Sequence, residues 1–261
     1  MTSGEAMRGP TGGRTFPVLL QAAVGALMLA GIVAAFAAEP VRNAAGLPAF
    51  TMGGHGAKIV FFHVPCAWLA VLAYLVGAIE AVRYLSTCRR AGRRAQAHDE
   101  RCAAAMEVGL VFGVLATITG SVFSHNEWGM YWSWDPRQTS IVVVLLLFAA
   151  YLVLRGAIED PMMRARISAA YTLVAVVPAM FMIWVLPRLP QIVTLHGGAN
   201  QAVVGGGLGP GYRLVMYGLL LPAFVGLFAW LIDLRMRVAT VEAGNEDEVV
   251  LGGMRVGEVS R

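Results

Sequence analysis

This chain carries little charge. Only 14% of its 261 residues are Asp, Glu, Lys or Arg, against 57% hydrophobic, and the mean hydropathy is +0.65. A water-soluble domain of ordinary composition carries far more charge, so that class is excluded. Cysteine is scarcer still, at three residues. Cys66, Cys88 and Cys102 form neither a C-x-x-C nor a C-x-x-C-H run, so no dithiol redox pair and no thioether attachment site is encoded. Cys66 lies among apolar residues and reads as packing. No internal repeat stands out.

What the chain has in abundance is long apolar runs. Crossing a hydrocarbon core of about 30 Å takes roughly 20 apolar residues in a helix. Six segments meet that length, near 17–38, 60–83, 103–124, 138–155, 168–187 and 212–233. The expected fold class is an all-α integral membrane protein, a six-transmembrane-helix bundle with an extracytoplasmic Trp-rich loop. Three parts follow: a cytoplasmic N-terminal tail over 1–16, a membrane domain over 17–235 with its loop at 125–139, and an acidic, mobile cytoplasmic tail over 236–261. The first run ends in Ala-Phe-Ala-Ala, like a signal-peptidase site, but exceeds the usual 7–15 residues of a signal peptide and reads as a retained span.

Basic residues orient the bundle. With the N-terminus inside, the inner segments hold fifteen of the twenty Lys and Arg residues, leaving Arg42, Lys58, Arg137, Arg188 and Arg213 outside. The net charge of +4 therefore reflects topology, and nothing calls for nucleic acid as a partner. The six crossings put both termini on the cytoplasmic side of the membrane.

Outside, aromatic residues concentrate. Trp128, Tyr131, Trp132, Trp134, Asp135 and Arg137 fall within twelve residues between two apolar runs. An interfacial belt explains one such Trp, but three within seven residues read as a platform for a flat, apolar ligand. Asp135, Pro136 and Gln138 have the spacing of N-cap, N1 and N3 of the fourth helix. Pro65 places the start of the second helix near Val64, with His63 at its outer mouth. His196 lies in the third outer loop, followed by a stretch where seven of the fifteen residues from Gly197 to Gly211 are glycine. His55 and His125 are also outside and read as incidental. His98, among charges, reads as part of a solvated inner face, Glu107 as a structural acid, and Pro178 as a kink.

Two imidazoles from separate outer loops flanking an aromatic platform point to a haem with two axial histidines. Zinc or copper sites usually recruit carboxylate or thiolate partners and need no stacked indoles. Arg137, Arg188 and Arg213 share that face, and a guanidinium can pair a propionate in bidentate fashion.

Trp128-Gly-Met-Tyr-Trp132-Ser-Trp134-Asp135-Pro-Arg137 resembles the tryptophan-rich WWD motif of the membrane haem-handling proteins of cytochrome c biogenesis. Length and layout resemble the CcmC type, the haem exporter protein C or haem lyase. Phe62-His63-Val64-Pro65-Cys-Ala-Trp68 and Thr194-Leu195-His196-Gly resemble that family's two outer histidine motifs. The resemblance covers about 17–235. It implies non-covalent haem b on the periplasmic side of the bacterial inner membrane, with His63 and His196 as axial ligands. Trp128, Tyr131, Trp132, Trp134, Asp135 and Arg137 would contact the haem, and Arg188 and Arg213 are candidate propionate partners. It further implies delivery to the covalent haem chaperone CcmE, with CcmA, CcmB and CcmD as partners and no ordinary catalytic turnover site.

Three alternatives compete. Asp-Pro-Arg-Gln-Thr reads partly like the CcsA-type synthase, which attaches haem to apocytochrome. A b-type electron-transfer subunit would want histidines within the helices, and none is expected there. A secondary transporter would want a buried acid or base for coupling, and none is expected either.

Overall fold

The computed structural model describes residues 16–38, 56–88, 92–195 and 210–259, with only the backbone described at 56, 57, 93, 210 and 243–259. His55, His196 and the glycine-rich stretch 197–209 lie outside the described residues. The helices are α1 (Val18–Ala37), α2 (Val60–Thr87), α3 (Arg93–Trp128), α4 (Pro136–Ala157), α5 (Pro161–Met180), α6 (Pro210–Arg213) and α7 (Leu221–Val259). Six helical stretches are long and apolar enough to cross a membrane: Val18–Ala37, Val60–Thr87, Arg94–Trp128, Pro136–Ala157, Pro161–Arg188 and Gly211–Glu242. The expected all-α, six-span class is thus the observed one, and no strand occurs among the described residues.

The helix ends follow from local chemistry. α4 and α5 both open on Asp-Pro. Asp135 accepts from the Arg137 amide at 2.9 Å and Asp160 from the Met163 amide at 2.6 Å, each satisfying a donor the helix leaves unpaired. Pro at N1 loses no bond, since its missing N–H has no partner there anyway. α3 stops at Gly129, whose φ of 76° suits a residue without Cβ, and whose amide donates to the His125 carbonyl at 3.0 Å. Past Pro178 the fifth span continues as a π-turn over Phe181–Val185, and the sixth contains another over Leu214–Leu220. Each π-turn ends just before a Leu-Pro pair, Leu186-Pro187 and Leu221-Pro222. A proline cannot donate into the ladder, and a shift to i→i+5 bonding is one way a helix absorbs the break.

Several boundaries differ from expectation. α2 begins at Val60, preceded by a 3-10 turn over Gly56–Ile59, so Pro65 is its sixth residue and His63 lies within the helix. α3 begins ten residues earlier than the apolar run. His98 is consequently in a helix and half-hidden, with its Nδ1 2.5 Å from Glu80 Oε2, and is not on a solvated face. α7 continues as one helix through Val259, where the sequence reads as a mobile tail. Charge-rich helix extensions are invisible to an apolar-run criterion because nothing in them needs the membrane.

α3 is the central element. It packs along α2 for most of its length and also meets α4 and α7, while α1 rests against the sixth span. Phe112, Met106, Tyr74, Phe148 and Tyr151 are fully buried, with the Tyr74 and Phe148 rings 4.1 Å apart. Ion pairs tie α3 to its neighbours toward the ends of the helices remote from the tryptophan loop. Arg155 grips Asp99 through two bonds of 2.8 and 2.7 Å, and Arg235 Nε lies 2.5 Å from Glu107 Oε2. Glu80, expected to be absent as a buried acid, is taken by Arg83 and His98. These clamps give Glu107 its structural role.

Breaking the two clamps should cost unequally. Asp99→Ala strands a largely buried guanidinium and should destabilise by about 3 kcal/mol. Glu107→Ala breaks a pair exposed by about a third and should cost roughly 1 kcal/mol or less. Thermal unfolding of the purified protein in detergent checks the order.

Candidate functional site beneath the tryptophan loop

Between α3 and α4 the chain runs without regular structure from Gly129 to Asp135. Non-helical backbone at the edge of a membrane helix must find its hydrogen bonds from neighbours. Here the two flanking helices supply them. From α3, Ser121 Oγ donates to the Tyr131 carbonyl at 2.9 Å and Ser124 Oγ to the Met130 carbonyl at 2.8 Å. From α4, Gln138 Oε1 accepts from the Ser133 amide at 2.9 Å and from its hydroxyl at 3.1 Å, and Thr139 Oγ1 donates to the Trp134 carbonyl at 3.2 Å. Gln138 Nε2 donates back to Ser124 Oγ at 3.2 Å, closing the circuit. The expected capping residue Asp135 is in place. Gln138, however, reaches past it to Ser133 and does not close the box on Asp135 itself.

The rings carried by this loop face different ways. Trp134 is 70% exposed and meets Trp132 edge-on, with centroids 5.7 Å apart. Tyr131, 58% exposed, stacks on His125 at 4.2 Å, so His125 belongs to the loop's support. Trp128, the last residue of α3, packs edge-on against Phe123, which in turn lies parallel to the His63 ring at 6.4 Å. Trp134 also has φ 57°, a left-handed conformation that costs a residue with a Cβ roughly 1–2 kcal/mol. A bulky, strained, exposed indole is not there for stability.

Under the loop is a cavity of about 170 Å³ whose walls include His63, Gly120, Trp132, Arg137, Met182 and Pro187. Ligand pockets that enclose a whole small molecule run roughly 300–1,000 Å³, so this one takes part of a ligand such as an edge. His63 is fixed at its wall. Its Nδ1 lies 3.0 Å from the Ala116 carbonyl oxygen and 3.4 Å from Thr119 Oγ1. A carbonyl only accepts, so Nδ1 carries the proton and Nε2 keeps its lone pair. Among the described residues Nε2 makes no hydrogen bond. Gly120 makes room for the ring, because a Cβ there would stand 2.7 Å from His63 Cε1.

The sequence-derived candidates therefore separate. His63, Trp132 and Arg137 share the cavity. Tyr131 and Trp134 form the exposed face above it. Asp135 is only 5% exposed, and its carboxylate is occupied by protein donors: the Arg137 amide, Thr194 Oγ1 at 3.1 Å and the Leu195 amide at 2.6 Å. Arg188 folds back onto its own span, donating to the Trp184 carbonyl at 2.7 Å with its guanidinium 4.9 Å from the Trp184 ring centroid. Arg213 is exposed at the end of α6. No group of three or more His, Cys, Asp or Glu that could hold a metal ion occurs among the described residues. Residues missed from sequence are Ala116, Gly120, Ser121 and Ser124, while Thr194 is visible there only as part of the His196 motif and not as a partner of Asp135. The Ala116-x-x-x-Gly120 spacing is the available signal, since small residues one turn apart let another element approach closely.

Fold and site together define a polytopic membrane protein with a braced aromatic loop over a histidine-walled cavity. Comparison with known proteins gives this class its family. The family described as Heme exporter protein C matches residues 9–250. The chain is 34% identical over 157 residues to Heme exporter protein C of Bradyrhizobium diazoefficiens, covering 59% of this chain and 55% of that one. It is 31% identical over 185 residues to Heme exporter protein C of Paracoccus denitrificans, covering 70% and 73%. It is also 33% identical over 99 residues to a putative cytochrome c biosynthesis ccmC-like mitochondrial protein of Marchantia polymorpha, covering 38% and 40%. The chain belongs to the heme exporter protein C family, the CcmC type.

Replacing Trp134 by glycine should relieve the left-handed strain while removing the exposed indole. The variant is expected to melt no lower than the natural protein, checked by thermal unfolding in detergent. A clear drop would mean that the indole carries packing energy.

Proposed function

We propose that this protein binds haem b non-covalently at the outer face of the bacterial inner membrane and delivers it to a covalent haem chaperone of the CcmE type. CcmA, CcmB and CcmD are the proposed working partners, and no ordinary catalytic turnover is assigned. The observation that carries the reading is that His63, Trp132 and Arg137 line one cavity. His63 with its Nδ1 held by a carbonyl has the tautomer an iron ligand needs. Trp132 offers an aromatic wall, and Arg137 is the arginine of the three candidates that lines the cavity, which favours it for a propionate over Arg188 and Arg213.

When bound, haem would supply an iron that takes imidazole at its two axial positions. His63 and His196 are the proposed ligands. Trp128, Tyr131, Trp132 and Trp134 are the proposed aromatic contacts, and Trp128 also backs Phe123, which lies parallel to the His63 ring. The positive-inside distribution supports cytoplasmic termini and an outer, periplasmic site.

The competing readings fare differently. The family match removes the reason to prefer a CcsA-type synthase. For a b-type electron-transfer subunit, the sequence expectation of no helical histidine is corrected: His63, His98 and His125 all lie in helices. Even so, His63 and the residue His98 bonds to, Glu80, are 17 positions apart on α2, about 25 Å at roughly 1.5 Å per residue. One haem cannot bridge His63 and His98, while the His125 ring is stacked on Tyr131.

Purification from haem-replete cells tests the reading. The natural protein should carry a six-coordinate low-spin visible spectrum, and His63→Ala and His196→Ala should each lose haem or that low-spin form. Unchanged haem content and spectrum in both would sink the ligand assignment. Arg137→Gln should weaken retention by roughly tenfold, the scale of losing one charge-assisted hydrogen bond, measured by haem transfer to apomyoglobin.

A further inference from the structure

Asp135 opens α4 as an N-cap, but a helix cap needs one acceptor oxygen and Asp135 uses both. Oδ1 accepts from the Arg137 amide at 2.9 Å and from Thr194 Oγ1 at 3.1 Å, while Oδ2 accepts from the Leu195 amide at 2.6 Å. The last two donors come from the third outer loop, some sixty positions along the chain, and they immediately precede His196. The carboxylate is 5% exposed, so these bonds compete little with water. We propose that Asp135 is a positioning residue: it latches the Thr194–Leu195 segment to the base of the tryptophan loop and thereby presents His196 to the same site as His63. This inference rests on the reading of His63 and His196 as haem ligands.

The molecule contains its own comparison. Asp160 caps α5 in the same Asp-Pro setting, but it is exposed, and among the described residues its carboxylate accepts only the cap bond from the Met163 amide at 2.6 Å. Capping alone therefore does not require a buried acid that holds two further donors. Asparagine separates the two roles. It caps helices about as well as aspartate, yet it offers one acceptor oxygen and turns an NH2 donor toward either the Arg137 amide or the Leu195 amide. With Asp135→Asn the helix cap can survive while the latch loses a bond and gains a donor facing a donor.

The test uses the full chain with Asp135→Asn, Asp160→Asn, His196→Ala and the double variant Asp135→Asn with His196→Ala. Hydrogen exchange of the peptide containing the Leu195 amide, measured on haem-free protein, reads the latch directly. Exchange should quicken in Asp135→Asn and stay unchanged in Asp160→Asn. The visible spectrum of protein from haem-replete cells reads the consequence. Asp135→Asn should shift from the low-spin six-coordinate form toward the spectrum of His196→Ala, added imidazole should restore the low-spin form, and the double variant should look no worse than His196→Ala alone. Unchanged exchange at Leu195 would overturn the latch. Faster exchange with an unaltered low-spin spectrum, or a loss that adds to that of His196→Ala, would overturn its role in positioning the imidazole. If the natural protein holds no haem, or His196→Ala changes nothing, the ligand reading falls and takes the positioning role with it, while the exchange result still decides the latch.

Discussion

A loop at the edge of a membrane has too few water molecules on its inner side to solvate its own backbone, and the site grows from how that shortage is met. The carbonyls of Met130 and Tyr131 are satisfied by hydroxyls from one helix, and the Ser133 amide by the side-chain amide of another. Every such bond is bought with a polar group placed at the mouth of an otherwise apolar helix. The return is a loop whose backbone cannot relax independently of α3 and α4. That rigidity lets Trp134 stay in a left-handed conformation and keep its indole outside.

The same helices that brace the loop set the histidine. Ala116 and Gly120 lie on α3 one turn apart, the Ala116 carbonyl accepting from the His63 ring and Gly120 leaving space for it. Ser121 and Ser124 continue α3 upward into the loop. A single helix thus carries the seat of the imidazole and the supports of the aromatic face in successive turns. Its half remote from the loop is clamped by Asp99 to Arg155 and by Glu107 to Arg235. A shift in the height or rotation of α3 would therefore disturb the seat of the histidine and the supports of the tryptophan loop at once.

The sequence makes the spans legible because each must supply about 20 apolar residues whatever its neighbours do. It makes the tryptophan cluster and the Asp-Pro cap legible for a similar reason: both are local in the chain. What it hides is whatever depends on a partner distant in sequence. His63 was expected at a helix mouth because proline favours the first turn, yet Pro65 is the sixth residue of α2, where the surrounding bundle supports the helix through the break. His98 among charges looks solvated until α3 is extended back to Arg93 and brings it to Glu80. Asp135 as a cap is written in the Asp-Pro pair, whereas its grip on Thr194 and Leu195 is a contact across about sixty positions that no spacing encodes.

The size of the cavity constrains what kind of binding such a site can support. At about 170 Å³ it is well below the volume that encloses a drug-sized ligand, and the Tyr131 and Trp134 rings above it are mostly exposed. A haem seated here would place one edge in the cavity and leave much of its face to the exposed rings. Partial burial gives up affinity, since the stabilisation from apolar contact scales with the area removed from water. It also leaves the outward edge of the macrocycle reachable by a second protein without opening the bundle. On the proposed reading, in which the ligand has to be surrendered, axial ligation would supply retention and the open flank a route of exit.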